Sequence, residues 1–387
     1  MTKKDAARAS NIVYYTLKRI LKEHADYNII FGERSNGKSF AVEEYGIDNY
    51  IERGEQMAII RREDTDLESA NSNETFTHFI NNPTRGNIIK EKTKGQWEDI
   101  TYFRGAWYFS KIDSNGRRIK DMNWFCKGFA LSMQEHYKST SYPGITTILF
   151  DEFMTRKAYL PDEFILFQNL LSTIIRDRDN VKIFMCGNTV NKYNPYFKEM
   201  GLIDANKMLP GDIQLYQFAV NQKDQVLKIA VEFSDLPSKD GKPSDKYFAF
   251  GNPRLKMITN GMWELAIYPH LPYRYTYNDI CGEFFIKWED KICHCEIVQI
   301  ENNGKAIAFV YIHDKTTPIK DPDSDIIFST EYDPRFNWYR KITKPSDDIT
   351  RRIKYFFDTD KVFYQDNEIG EIVRNYLQWC KTDKGIT

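Results

Sequence analysis

The sequence contains no long apolar run and no excess of charge of either sign. None of its hydrophobic segments approaches the roughly 18 residues that a bilayer crossing requires, and no secretory apolar stretch follows residues 1–5. We therefore expect a cytoplasmic protein without a membrane partner. The formal net charge of the 387 residues is −1, so overall basicity gives no argument for nucleic-acid binding. A local basic patch, or repeated weak contacts in a ring of subunits, would still be compatible with DNA.

Cysteine is also scarce, with six residues scattered along the chain. The segment Cys293-His294-Cys295 resembles a set of metal ligands. Alternate residues of a strand point to opposite faces, however, so His294 would point away from both thiols. No second ligand pair lies at a zinc spacing. We expect free thiols here rather than a zinc site.

The sequence also contains one strong motif, at residues 32–39. Residues 32–39 have the pattern G-x-x-x-x-G-K-S. They lie between an apolar run at 27–31 that predicts a buried strand and a helix predicted to continue from residue 40 and to end near Gly54. This is the context of a P-loop, where backbone N–H groups and a helix N-terminus bind phosphates. The lysine reaches the β- and γ-phosphates, and the serine hydroxyl binds Mg²⁺. The predicted nucleotide-binding residues are Gly32, Gly37, Lys38 and Ser39.

A second apolar strand, predicted over residues 146–150, ends in Asp151 and Glu152. An acidic residue at the end of a strand downstream of a P-loop is the Walker B arrangement, so we expect Asp151 to hold Mg²⁺ together with Ser39. The adjacent Glu152 can orient and deprotonate an attacking water, which hydrolysis requires and nucleotide storage does not. The pair therefore favours a nucleoside triphosphatase.

Three further polar residues each have two interpretations. Asn188 follows a predicted strand and would either lie beside the γ-phosphate or serve as a turn residue. Arg176, at the end of a helix predicted over 162–176, would either stabilise transition-state charge in a neighbouring subunit or cap its helix. Lys138 would reach across a subunit interface or lie solvated in a loop.

Two weaker patterns bear on the ligand. Residues 191–194 read N-K-Y-N and lack the final Asp of the guanine-reading N-K-x-D motif, which disfavours a GTPase. The Asn115-Gly116 pair predicts a hairpin turn followed by basic residues. That hairpin is either solvated or in contact with DNA.

The pattern of elements predicts two domains. An amphipathic helix over 8–24 is expected to lead into a β-α-β unit with a parallel sheet, and the P-loop domain is predicted to span 1–234. Residues 235–265 begin with a stretch rich in Pro, Gly and Ser and are predicted to be a linker. Short alternating strands and two closing helices then predict a smaller α+β domain over 266–387.

In order along the chain, these residues resemble the phi-29-type phage DNA encapsidation family, ATPases that drive a genome into an empty capsid. The resemblance covers about residues 27–197. The matching segments are Gly32-x-Arg34-x-x-Gly37-Lys38-Ser39, Ile59-Ile60-Arg61-Arg62, Leu131-Ser132, Lys138-Ser139, Tyr142-Pro143, Phe150-Asp151-Glu152-Phe153, Arg176-x-Arg178, Asn188 and Asn194-Pro195-Tyr196-Phe197.

The resemblance implies an α/β P-loop NTPase fold of the additional-strand, catalytic-glutamate (ASCE) type with an FtsK/HerA-like parallel sheet. It implies an RNase H-like C-terminal domain, a vestigial packaging nuclease that binds nucleic acid. It also implies Arg176 as a trans-acting finger, Lys138 as a second trans-acting group and Arg34 among the nucleotide-binding residues. ATP and Mg²⁺ are the implied cofactors. The implied partners are double-stranded DNA, further subunits of a pentameric ring and the procapsid portal, with a structural RNA left open.

The predicted function is therefore ATP-driven translocation of double-stranded DNA into a viral procapsid, in the host cytoplasm and transiently at the portal vertex. Alternatives are a helicase-like or conjugation-type DNA pump, a nucleotide-switched binding module and, more weakly, a small-molecule kinase. The acids of 321–325, with Glu331 and Asp333, leave a two-metal nuclease as a further alternative, although they resemble loop acids around a proline.

Overall fold

The computed structural model describes residues 14–138, 140–155, 159–160, 162–190, 194–220, 225–235, 268–288, 291–302 and 304–382. The chain divides into two compact units, the first of residues 1–156 and 162–263 and the second of residues 157–161 and 264–387. Apart from Asp235, the predicted linker lies outside the described residues, so the predicted domain boundaries stay a prediction. No helix in the described ranges has both the length and the apolar character of a membrane span.

The first unit is built on a mixed, mostly parallel sheet. Its strands are β1 (Tyr27–Gly32), β2 (Gln56–Arg61), β3 (Asp99–Phe103), β4 (Ala106–Ile112), β5 (Arg118–Lys120), β6 (Cys126–Ala130), β7 (Ile145–Asp151), β8 (Lys182–Asn188), β9 (Ile213–Val220) and β10 (Gln225–Ser234). They lie in the order β3-β4-β6-β2-β7-β8-β1-β10-β9, with β5 paired to β4. The strands from β6 to β10 in this order are mutually parallel, while β3, β4, β5 and β9 pair antiparallel. The predicted α/β class is confirmed.

Short and long helices accompany this sheet. They are α1 (Lys38–Arg53), α2 (Ser69–Glu74), α3 (Thr77–Ile80), α4 (Ile88–Lys92), α5 (Glu163–Ile175) and α6 (Pro195–Glu199). The helix after the P-loop ends where the sequence predicts, because Gly54 adopts φ 71° and its N–H bonds the Tyr50 carbonyl at 2.9 Å. Every residue of β1 is buried, as expected for a central strand covered on both faces.

Residues 64–98 add an aromatic layer beside β4. Trp107 is almost fully buried, and its indole Nε1 donates to the carbonyl of Ser72 at 2.7 Å. Its ring meets Phe76 edge to face at 5.5 Å, and Phe76 in turn lies 5.1 Å from Phe125. Phe125 also stacks on Phe109 at 4.6 Å. This cluster joins residues 64–98 to the sheet through ring packing and the hydrogen bond from Trp107 to Ser72.

The helix predicted over 8–24 is wrong in its described part. Residues 14–19 form no regular helix, and only a 3₁₀ turn at Ile20–Glu23 follows. The segment instead runs across the P-loop, where the Tyr15 N–H donates to the Asn36 carbonyl at 2.9 Å. The Tyr15 hydroxyl donates to Glu232 at 2.7 Å. These tertiary bonds override the helical spacing of the apolar residues.

The second unit is an α+β arrangement on a separate sheet. Its strands are β11 (Ile280–Trp288), β12 (Lys291–Asn302), β13 (Lys305–Asp314), β14 (Ile327–Ser329), β15 (Trp338–Tyr339) and β16 (Val362–Tyr364), and its helices are α7 (Asp348–Asp358) and α8 (Asn367–Thr382). The strand order is β15-β14-β11-β12-β13-β16. Strands β11, β12 and β13 form an antiparallel meander. Strand β14 runs parallel to β11, β15 parallel to β14, and β16 parallel to β13.

We expect Trp107→Ala to lower the free energy of unfolding of the first unit by about 3–5 kcal/mol, because it empties a buried site and removes the partner of the Ser72 carbonyl. Urea denaturation followed by circular dichroism measures the change. Met122→Ala is the control, since that side chain is 94% exposed. Equal midpoints for the two variants would contradict the role assigned to the aromatic layer.

Candidate functional site

The P-loop motif connects the end of β1 to the start of α1. Gly32 has φ 153°, and a Cβ at this position would lie 2.3 Å from Oγ of Ser234, so no larger residue fits. Gly37 has φ 92° and directly precedes the first turn of α1. These two glycines let the loop turn tightly, which directs the N-terminus of α1 towards a cavity of 390 Å³. The cavity is lined by residues 34–40, 151–152 and 186–188.

Lys38 is the first residue of α1 and is only 5% exposed. Its Nζ donates to the Glu33 carbonyl at 2.6 Å and to Oδ1 of Asn36 at 3.1 Å. Asn36 is held in turn, because its Nδ2 donates to Oγ of Ser234 at 2.7 Å. The ammonium group therefore lies against oxygens of its own loop, where an entering phosphate oxygen would compete for the same donor.

Asp151 meets two side chains at the end of β7. The Ser39 hydroxyl donates to its Oδ1 at 2.6 Å, and the Arg61 guanidinium lies 3.0 Å from its Oδ2. Burial lowers the pKa of Arg61, but the nearby carboxylates, Asp151 foremost, raise it overall. A hydroxyl and a carboxylate oxygen beside a phosphate cavity are the ligand types that Mg²⁺ prefers, so Ser39 and Asp151 fit the predicted ion.

Glu152 follows β7 in a strained backbone conformation, with φ 57°. Arg62 holds two consecutive backbone carbonyls at this turn, because its guanidinium donates to Glu152 O at 3.3 Å and to Phe153 O at 2.9 Å. Arg62 also binds both carboxylate oxygens of Glu163, at 2.7 and 2.8 Å, and the Tyr196 hydroxyl donates to Glu163 at 2.7 Å. Glu163 is 2% exposed. We call Arg62, Glu163 and Tyr196 the turn clamp, because together they fix the backbone that carries Glu152.

The sequence interpretation assigned no role to the turn clamp. Arg62 and Tyr196 lie in segments that match the encapsidation family. The sequence signals for this clamp were an arginine just after a predicted strand and a glutamate at the start of a predicted helix. Sequence reasoning also missed Glu43 on α1, which is buried and lies 2.8 Å from Nε2 of His78. Burial raises the pKa of Glu43, and the contact with His78 opposes that rise. This pair links α1 to α3, which lies within residues 64–98.

Asn188 ends β8 directly beside the P-loop, in register with Gly32 on β1. Its Oδ1 lies 3.5 Å from the Lys38 Nζ. Arg34 is among the residues that line the same cavity, as are Asp151 and Glu152. Apart from Gly32, at the end of β1, the predicted nucleotide-site residues of the P-loop and of the two strand ends therefore line one cavity, and their individual roles stay predictions.

Arg176 and Lys138 lie outside this lining. Arg176 follows α5 with φ 51°, and its guanidinium donates to the Thr140 carbonyl at 3.2 Å. Lys138 is exposed and its Nζ bonds Glu135 at 2.6 Å. Arg178 has a different position, because its guanidinium binds the Ile174 and Pro143 carbonyls at 2.7 and 3.0 Å and so anchors the chain before β7. The two predicted trans-acting residues thus lie on neighbouring exposed segments, and the structure does not bring them to the cavity of their own chain.

Of the other predicted features, the hairpin forms between β4 and β5 with Gly116 at φ 75°. The N-K-Y-N segment lies outside the described residues except for Asn194, whose side chain caps α6 by accepting from the Phe197 N–H at 3.1 Å. Of the acids at 321–325, 331 and 333, Asp323 and Asp333 share one cationic partner, and Glu331 contacts Lys287. Arg335 bridges Asp323 and Asp333 at 2.8 and 2.7 Å and holds the pKa of Asp333 down to about 2.

Comparison with known proteins identifies relatives among phage packaging proteins. Residues 110–220 match the model of the family described as podovirus DNA encapsidation protein (Gp16). The DNA packaging protein of Bacillus phage phi29 is 29% identical over 205 residues, which cover 50% of this chain and 52% of the phage protein. That of Bacillus phage B103 is 30% identical over 186 residues, covering 46% of this chain and 50% of the relative. The chain spans about half the length of the curated relatives it matches.

A solved structure described as the Phi-28 gp11 DNA packaging motor is similar over a longer stretch. It covers 96% of this chain and 99% of its own, with a TM-score of 0.50 and 18% identity. At this identity the similarity concerns the fold alone. The similarity to the podovirus Gp16 family over residues 110–220, and to the phage DNA packaging proteins over about half of this chain, agrees with the resemblance indicated by the motifs.

Proposed function

We propose that this chain is an ATP-hydrolysing motor that moves double-stranded DNA into a viral procapsid. The observation that carries the proposal is the division of the predicted catalytic residues. The P-loop lysine, the Ser39–Asp151 pair and Glu152 surround one cavity, whereas Arg176 and Lys138 lie elsewhere on the chain. A site that lacks its cationic finger in one subunit is completed by a neighbour in a ring. The relationship to phage DNA packaging proteins supports DNA as the substrate.

The proposed reaction uses ATP with Mg²⁺, which would be held by Ser39 and Asp151 and would neutralise charge on the β- and γ-phosphates. Lys38 and Arg34 bind phosphate oxygens, and Asn188 lies where it reports on the γ-phosphate. Glu152 orients water and accepts its proton, because it follows a strand whose end faces the cavity. Arg176 and Lys138 of the next subunit stabilise the charge that develops as the phosphate leaves.

For the fold, we propose the ASCE type of P-loop domain in the first unit and an RNase H-like domain in the second. The first is supported by β8, which lies between β1 and β7. An additional strand therefore separates the P-loop strand from the strand that ends at Asp151 and is followed by Glu152. The second is supported by an antiparallel meander followed by two strands parallel to its first strand. The pairing of Asp323 and Asp333 with Arg335 supports a vestigial rather than an active nuclease.

The proposed partners follow from the motor. They are duplex DNA, held through its phosphates without sequence preference, further copies of this chain in a ring that the resemblance suggests is pentameric, and the portal of a procapsid. We include a structural RNA at the portal among the proposed partners. The proposed location is the host cytoplasm, with transient residence at the portal vertex.

We expect Glu152→Gln and Arg176→Ala each to lower ATP turnover by about 10³-fold or more when tested alone. Mixing the two variants should restore part of the DNA-stimulated turnover, because some interfaces then combine an intact Glu152 with an intact Arg176. Steady-state phosphate release with and without duplex DNA, over a range of protein concentrations, measures this. Arg85→Ala, which removes an exposed guanidinium bound to Glu44, is the control.

The shared-site proposal fails if Arg176→Ala keeps native turnover and the native rate per chain does not depend on concentration. Packaging itself is tested by the amount of DNA that procapsids bearing a portal protect from nuclease. Phosphate release without any protected DNA would favour the helicase-like or conjugation-type pump.

We expect Arg62→Lys to lower kcat by up to about 100-fold while leaving KM for ATP nearly unchanged. Lysine keeps the charge but cannot bind Glu163 with two N–H groups and hold two carbonyls at once, so Glu152 loses its fixed position. Arg85→Lys is the matched control. A rise in KM with an unchanged kcat would mean that the turn clamp supports nucleotide binding rather than the orientation of Glu152.

A further inference from the structure

A second cluster of polar side chains lies in the other unit, on the open face of the β11–β12–β13 meander. Cys293 and Cys295 are fully buried on one face of β12, as the alternation of a strand requires, and both are free thiols. His294 between them points to the opposite face, where its register partner on β13 is His313. Glu296, two residues along β12, lies on the same face as His294. The residue types that looked metal-like in sequence are therefore separated, and a different set is brought together.

The donor atoms of His294, Glu296 and His313 lie within 4.8 Å of one another. Their side chains are 17%, 14% and 27% exposed, so the group is shielded from solvent without being sealed. Tetrahedral zinc holds ligands at about 2.0–2.2 Å, which places neighbouring donor atoms roughly 3.4 Å apart. The group therefore needs a contraction of at most about 1.4 Å, which side-chain rotation on adjacent strands can supply.

The surrounding hydrogen bonds orient these side chains as ligands. Nδ1 of His313 lies 3.0 Å from the Asp314 carbonyl, so this nitrogen carries the proton and donates it. The second ring nitrogen, Nε2, then faces Glu296, whose Oε1 is 3.7 Å away. The other oxygen of Glu296 accepts a hydrogen bond from the Tyr275 hydroxyl. Partners of this kind, a carbonyl behind the imidazole and a donor behind the carboxylate, are typical of metal-ligating residues.

The neighbouring charges also favour a cation. Oε2 of Glu283, on β11, lies 3.1 Å from Nε2 of His294, so two carboxylates face the two imidazoles. Lys315 is the nearby cation, with its Nζ 5.7 Å from the ring of Phe285, which stacks on His294. Among the described residues around the cluster, the negative charges of the two carboxylates thus outnumber the ammonium of Lys315.

We propose that His294, Glu296 and His313 bind a divalent transition-metal ion of the zinc class. Two imidazoles and one carboxylate suit Zn²⁺ and Co²⁺, whereas Mg²⁺ prefers a set made only of oxygens. Three protein ligands leave a fourth position, for which Glu283 or a water is the nearest candidate. The ion would join β12 to β13 and is independent of the nucleotide site, since all of its ligands belong to the second unit.

The experiment uses the full chain carrying Cys281→Ser, which removes the exposed thiol as a competing ligand. After EDTA treatment and dialysis, Zn²⁺ is titrated by calorimetry in excess Mg²⁺ without nucleotide, and Co²⁺ is followed by its visible absorption. We expect one equivalent of each metal and a tetrahedral Co²⁺ spectrum without thiolate bands. We expect His294→Gln, Glu296→Gln and His313→Gln each to weaken Zn²⁺ binding by at least about tenfold. Tyr275→Phe should weaken it about tenfold, which is the order of magnitude lost with a residue that supports a metal ligand.

His270→Gln is the matched control, because it removes an exposed imidazole of the same unit. Circular dichroism of the metal-free proteins shows which variants fold, and unfolded ones are set aside. Titration of the Cys281→Ser parent tests the proposal even if no ligand variant folds. If this parent takes up no stoichiometric Zn²⁺ or Co²⁺, or if the folded ligand variants bind as tightly as the His270→Gln control, the cluster is a set of ion pairs and the proposal is wrong.

Discussion

The first unit depends on one constraint, the parallel pairing of β1 with β8 and of β8 with β7. Parallel strands present their carboxyl ends at the same edge, and a ligand site forms where those ends meet. The register places Gly32 opposite Asn188, and the neighbouring pair aligns Asp151 with Cys186. Three segments that are far apart in sequence therefore share one cavity. The helix N-terminus at Lys38 and the acidic end of β7 supply opposite charges to its two sides.

The edge of the sheet alone would leave the segment after β7 free to move. The turn clamp removes that freedom, because Arg62 holds two consecutive carbonyls while Glu163 and Tyr196 hold Arg62 in place. Glu163 is a buried charge, which is tolerable only with a paired cation and a further donor. The clamp draws on β2, α5 and α6, so strain at Glu152 is supported by much of the unit. A fixed backbone at this point restricts the Glu152 carboxylate to fewer orientations.

The two units treat their polar side chains differently. In the first, charged groups converge on a cavity beside a helix N-terminus, as a phosphate ligand requires. In the second, they converge on the face of an antiparallel meander, where a His and a Glu two residues apart on one strand meet a His on the next. Cross-strand pairing, rather than spacing along the chain, creates that second cluster. The buried thiols on the opposite face contribute to packing.

The sequence by itself determined the local elements of the proposed nucleotide site: the strand, loop and helix around Lys38, the strand ending at Asp151 and the end of α1 at Gly54. These follow from apolar runs, glycines and caps, which act over a few residues. Only the tertiary structure decided the non-helical course of residues 14–19, the turn clamp and the His294–Glu296–His313 group. In each of these the partners come from distant segments, so burial and strand register, which no short window of sequence contains, select the outcome.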